Sequence, residues 1–279
     1  MKRLVSQSGV AAMIYNTIMV NLSMHQSVAP QLKFAREVAS RFESTLVGFA
    51  AGDIRMITVA PPGVVMDDEF MRLEAIEIER GLEVLRKEFE AEGGGDLLRT
   101  SVGDPTKELA AAARLADLVI AGIWKVGSEQ VDIGELIHSA GRPVLIPRAD
   151  FEPLGAHKIV VAWKDTREAR RAVVDAMPFL VHAREVLVAS VEEKGKQHVL
   201  ETQNDVVRHL IRHGARARGE IFSRDASSDG EALIAISKQF GADLIVSGAY
   251  GHSRLREWLL GGVTRSLLRE TSLNRLMSA

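Results

Sequence analysis

The chain reads as an α/β protein built from two tandem, open, parallel five-stranded units, and three observations predict this. Short β-branched apolar runs alternate with amphipathic helical stretches along its length, and a parallel strand pair needs the crossover that a helix supplies. The chain also repeats itself: ADLVIAG at 116–122 returns as ADLIVSG at 242–248, 126 residues later, each copy following an amphipathic helix. Between the copies, AGRPVLIPRADFEPLGAHK carries Pro143, Pro147, Pro153 and Gly155, a composition that suits a connection rather than an element. The expected division is a first domain over 1–150 and a second over 151–279, with a linker near 148–156.

In the first unit TIMVNLS opens the sheet, and strands are expected near 17–22, 44–49, 97–101, 117–121 and 143–147. The charged stretch 67–92, ended by Gly93, Gly94 and Gly95, predicts a long helix. One stripe of it (Phe70, Leu73, Ile76, Leu82, Leu85, Phe89) should be buried and its charges solvated. A shorter helix over 107–115 leads into the fourth strand. In the second unit KIVVAWKD opens the sheet, with strands near 158–163, 185–191, 217–222, 242–247 and 275–278 and helices near 167–182, 197–213, 229–240 and 262–270.

Composition narrows the function classes. With 279 residues and 46% apolar content, either unit can bury a full core. The 35 basic and 37 acidic residues nearly balance, which argues against a broad nucleic-acid or membrane-surface binder. There is no cysteine, so disulfides, thiol catalysis and zinc–thiolate sites are excluded. No run approaches the roughly 18 apolar residues of a membrane span. The first dozen residues read as loosely ordered and not as a secretory signal, and the expected location is cytoplasmic.

The stretch GAYGHSRLREWLLGGVTRS, from Gly248 to Ser266, carries the functional signal. A strand that ends in glycines, followed by a helix that opens with Gly261, Gly262, Val263 and Thr264, has the makings of an anion site. The first amides of a helix have no intrahelical partner, glycine lets a phosphate approach them, and the peptide dipoles add positive potential there. Glycines in these places also serve turns and caps, and spacing alone leaves both readings open. Neither a P-loop nor a dinucleotide fingerprint occurs.

This glycine spacing, together with IVVAWKDTREARRAV and GADLIVSGAYGHSRLREWLLGG, resembles the universal stress protein family, and the likeness covers nearly the whole chain as two tandem copies. The resemblance implies an open parallel five-stranded α/β sandwich in each copy, Rossmann-like and of the adenine nucleotide alpha hydrolase type. It implies ATP, or ADP or AMP, with Mg as an accompanying ion. Gly248 and Gly251 would line the ribose and phosphates, Gly261 would give close approach, and Gly262, Val263 and Thr264 would wrap the polyphosphate. Asp165 would reach the adenine, with Ala162 and Val191 completing the contact set. The family also implies pairing through the last strands, here within one chain, and a further homodimer stays open.

Two departures weaken the likeness. Gly262 stands where the family usually has Ser or Thr, and Lys164 stands where it has Asp. Losing one buried hydrogen-bond partner costs about 1–3 kcal/mol, so weak nucleotide binding is expected rather than none. In the first copy the second glycine is missing after Gly122, and Asn21, Leu22 and Ser23 replace the Asp-containing turn, so that half is read as a non-binding partner domain. Its Asp132, Glu135 and His138 are read as a solvated helix face, not as metal ligands.

His252 and Arg254 offer donors to a phosphate, yet no water-activating base accompanies them, so dedicated catalysis is not expected. Two alternatives stand beside the nucleotide reading. One is an interaction scaffold whose sites have decayed; the other is a binder of a different small anionic metabolite.

Overall fold

The ten apolar runs form one sheet. The computed structural model describes residues 14–54, 68–94, 97–123, 130–191, 196–223, 228–250 and 261–279. Its elements run β1 (Thr17–Asn21), α1 (Ala29–Phe42), β2 (Thr45–Gly52), α2 (Asp68–Ala91), β3 (Leu98–Val102), α3 (Pro105–Ala112), β4 (Leu118–Ile120), α4 (Ile133–Ser139) and β5 (Val144–Ile146). The second half repeats the scheme with β6 (Lys158–Ala162), α5 (Arg167–Asp175), α6 (Met177–Leu180), β7 (Glu185–Val191), α7 (Lys196–Arg212), β8 (Ala217–Phe222), α8 (Asp229–Phe240), β9 (Leu244–Gly248), α9 (Gly262–Arg269) and β10 (Asn274–Ser278).

The strand order is β3-β2-β1-β4-β5-β10-β9-β6-β7-β8. Each half is therefore a five-stranded parallel sheet whose order reverses beside its first strand, and the halves join where β5 and β10 pair antiparallel, with Arg275 opposite Ile146 and Met277 opposite Val144. Either half alone would leave that apolar edge unpaired; joining them removes two edges at once. Along the strands, successive residues serve opposite layers. Val161 and Val246 pack toward α1, α2, α5 and α7, whereas Val160 and Ile245 pack toward α3, α4, α8 and α9.

Helix starts follow local chemistry. Asp104 accepts from the amides of Thr106 and Lys107 to cap α3, Asp132 from that of Glu135 to cap α4, and Thr166 from that of Ala169 to cap α5. Ser228 and Glu231 form a reciprocal capping box on α8.

Two expectations need correction. The helix expected over 167–182 is two helices, because Pro178 lacks an N–H and its ring opposes the carbonyl one turn back, so α5 ends at Asp175. On α2 the buried stripe is Ile78, Leu82, Leu85 and Phe89, whereas Leu73 is 60% and Ile76 49% exposed. The side chain of Phe70 and the first dozen residues lie outside the described residues.

The halves also meet away from the ladder. Tyr15 and Phe42 pack edge-on against each other at 5.1 Å, Phe42 packs edge-on against Phe179 at 4.9 Å, and the Tyr15 hydroxyl donates to the Asp175 carbonyl. Arg41 donates to the carbonyls of Leu154 and Gly155, at 2.7 and 2.9 Å.

The approach to β10 is clamped by Glu270, which accepts from the Ser272 amide and hydroxyl and from Lys238 of α8 at 2.9 Å. Burial raises its pKa, but the bonds from Ser272 and Lys238 outweigh it and hold the carboxyl at about 2, below its ordinary 4.5. A depressed carboxylate contributes stability above its unfolded value, and that contribution is lost as pH falls toward the folded value. Acidification from about pH 6 to about pH 3 is therefore expected to lower the urea midpoint more in the parent than in Glu270→Gln. Equal losses in the two proteins would count against this clamp.

Candidate functional site

In an open α/β sheet the crevice lies beyond the carboxyl ends of the strands where the strand order reverses, here between β6 and β9. Parallel register aligns these ends: Ala162 of β6 lies opposite Ala189 of β7 and Ser247 of β9, so the loops after β6 and β9 leave the sheet side by side. Val191 closes β7 next to them, half-buried, and Ala162 is buried in the sheet.

The loop after β6 is a tight turn in which the Thr166 amide donates to the Lys164 carbonyl at 2.7 Å. Lys164 and Asp165 are both exposed, and the Asp165 carboxylate lies 3.7 Å from Arg170 in the first turns of α5. The residue expected at the adenine is thus engaged by its own helix. The indole N–H of the preceding Trp163, which sequence reasoning passed over, is buried with no hydrogen-bond partner among the described residues.

Gly248 ends β9 under α5. A Cβ there would stand 2.5 Å from both the Ala169 nitrogen and the Glu168 carbonyl carbon, so close helix packing by itself requires the glycine. Tyr250 follows with φ +67°, a left-handed conformation that is unusual for a side chain of this size. Its ring meets His138 of α4 at 5.6 Å, and burial, then Asp132 and Glu135, push its hydroxyl up to about 12. The loop after β9 in one half thereby reaches α4 of the other. No sequence signal marks this, because the partners lie over a hundred residues apart. Gly251, His252 and Arg254 lie outside the described residues.

The glycine-led helix α9 packs on α8, with the Val263 Cα 3.0 Å from where a Cβ on Gly230 would sit. Gly261 stands at its N-cap position with no side-chain cap, and the first intrahelical bond runs from the Arg265 amide to the Gly261 carbonyl at 3.0 Å. The amides of Gly262, Val263 and Thr264 have no hydrogen-bond partner among the described residues, unlike the capped starts of α3, α4, α5 and α8. Gly262 is exposed, with nothing within 4 Å of where a Cβ would sit. Val263 is half-buried against α8 and its neighbours, and Thr264 is 3% exposed. Among these three residues, Gly262 is the exposed one.

In the first half the matching strand end carries Asn21, buried, with its amide nitrogen unpartnered among the described residues. No described helix is long and apolar enough to cross a membrane.

Residues 155–277 match the model of the universal stress protein family. Among solved structures, the chain is similar to a universal stress protein from Archaeoglobus fulgidus DSM 4304, with 16% identity, a TM-score of 0.68, and 94% of this chain and 96% of that chain covered. It is also similar to a functionally unknown protein from Pseudomonas aeruginosa PAO1, with 17% identity, a TM-score of 0.58, and 94% and 92% covered. No curated protein matches the chain significantly. At these identities the structures share the fold, and they share it across both halves rather than one. The second half, residues 155–277, is thus matched by the universal stress protein family model, and the first half repeats its strand order.

Proposed function

We propose that this is a cytoplasmic stress-response protein whose second half binds ATP or a related adenine nucleotide in the crevice between β6 and β9. The carrying observation is the start of α9: three amides without partners among the described residues, led by an exposed glycine, in the half whose β6–β9 strand ends are where such sheets bind ligands. The phosphates sit on these amides with Mg as counter-ion. Ala162 and Val191 face the base, and Gly251, His252 and Arg254, which lie outside the described residues, belong to the contact set that the family resemblance implies. Occupancy of the crevice, rather than turnover, is the signal.

Calorimetric titration of the full chain with ATP and Mg tests this, and the expected result is weak but saturable binding. Gly262→Val places a branched side chain over the amides in open space, so it should weaken ATP about tenfold or more while leaving thermal stability unchanged. Absence of heat up to millimolar ATP rejects the reading.

A scaffold without nucleotide is the second reading. It is favoured by Lys164 at the place of the usual Asp and by the pairing of Asp165 with Arg170.

A further inference from the structure

A cavity of about 390 Å³ opens between the halves, where α4 and the turn into β5 face α5 and the end of β10. Its wall carries three guanidinium groups, Arg142 from the first half and Arg167 and Arg171 from the second, together with His138 and one carboxylate, that of Asp175. Arg171 is held by Asp175 at 2.9 Å, and Arg167 lies 3.1 Å from the Glu168 carboxylate. Arg142 is half-buried and has no ion pair or hydrogen bond among the described residues. Ser278 also lines the wall, 2% exposed, with a hydroxyl that finds no partner there.

Local rules oppose this arrangement. Arg167, Arg170 and Arg171 all fall within the first five residues of α5, where the helix dipole disfavours cations, and Arg142 of the other half adds like charge. Glu168, Asp165 and Asp175 offset part of this charge, whereas Arg142 has no carboxylate partner among the described residues, and an anion in the cavity beside Arg142 and Arg171 supplies one. The volume lies at the lower end of the roughly 300–1,000 Å³ typical of small-molecule sites. Guanidinium forks match the oxygens of a phosphate two at a time.

We propose that this cavity binds a small phosphate-bearing anion, gripped by Arg142 from one half and by Arg167 and Arg171 from the other, and that the ligand ties the halves together. The site shares none of the α9 amides, so it stands whether or not the crevice takes a nucleotide.

Inorganic pyrophosphate is the probe, titrated calorimetrically into the full chain. The parent should bind it, Arg142→Ser and, separately, Arg167→Ser should each weaken it about tenfold, and Gly262→Val should leave it unchanged. Both arginine variants should keep the parent's circular dichroism, since Arg142 makes no ion pair or hydrogen bond among the described residues and Arg167 is 83% exposed at its side chain. Parent binding should also raise the melting temperature, as a ligand of the folded state does. No heat at about 10 mM pyrophosphate overturns the proposal, as does undiminished affinity in both arginine variants. Loss on Gly262→Val alone would assign the binding to the α9 crevice instead. Tighter binding of citrate than of pyrophosphate would overturn the choice of phosphate over carboxylate.

Discussion

Gly248→Val is expected to cost the protein about 3 kcal/mol or more, enough to remove a large part of the stability of an ordinary domain. The neighbours a Cβ would meet are main-chain atoms: the Ala169 nitrogen and Glu168 carbonyl carbon at 2.5 Å and the Ala169 Cα at 2.9 Å. A flexible side chain could swing aside; a helix start cannot. It is held by the Thr166 cap and by Ala169, Ala172 and Val173 buried against the sheet. Relief requires α5 to lift off β9, and that uncovers the apolar contact on which this face of the second half depends. Urea unfolding followed by circular dichroism measures the loss. A change below about 0.5 kcal/mol would mean that α5 yields easily and that the glycine is not there for packing.

Arg275→Ala should rank beside it, at about 3–5 kcal/mol. Arg275 is 1% exposed and is the largest fully buried side chain in the described residues. Burial lowers its pKa to about 10 against the opposing pull of Glu270, so it stays protonated at neutral pH. Its guanidinium donates to the carbonyls of Glu270, Leu273 (2.8 Å) and Pro147 (3.3 Å), the last in the other half. Alanine leaves those carbonyls dry and unpaired and opens a void beside the β5–β10 ladder. Lysine offers one ammonium where a fork reaches both sides, so Arg275→Lys should recover only part of the loss. Because the arginine bridges the halves, calorimetry of Arg275→Ala should show the two halves melting less cooperatively than in the parent. A single transition at the parent temperature would contradict that role.

Much of the fold was legible because its signals are local. The bounds of β7 and α8 match the sequence reading, since the Val-rich run of β7 and the Ser228–Glu231 capping box act within a few residues. The glycine start of α9 was readable for the same reason. The stripe on α2 was misplaced because periodicity says which residues share a face, not how far the sheet extends beneath them. A helix of 24 residues runs about 36 Å, whereas the eight residues of β2 span about 27 Å, so Leu73 and Ile76 can share the apolar face and still be exposed.

The sequence by itself determined the α/β class, the doubling of the unit, the order of its elements and the glycine-led helix, all of which follow from residue periods and caps. Only the tertiary structure decided that Gly248 serves the approach of α5, that Arg275 lies buried across the seam, and that Arg142 faces Arg167 and Arg171 across a shared cavity. These depend on strand order and on the antiparallel meeting of β5 with β10, which bring together residues far apart in the chain. No local preference encodes such a distance; it emerges when the two apolar edges are buried against each other.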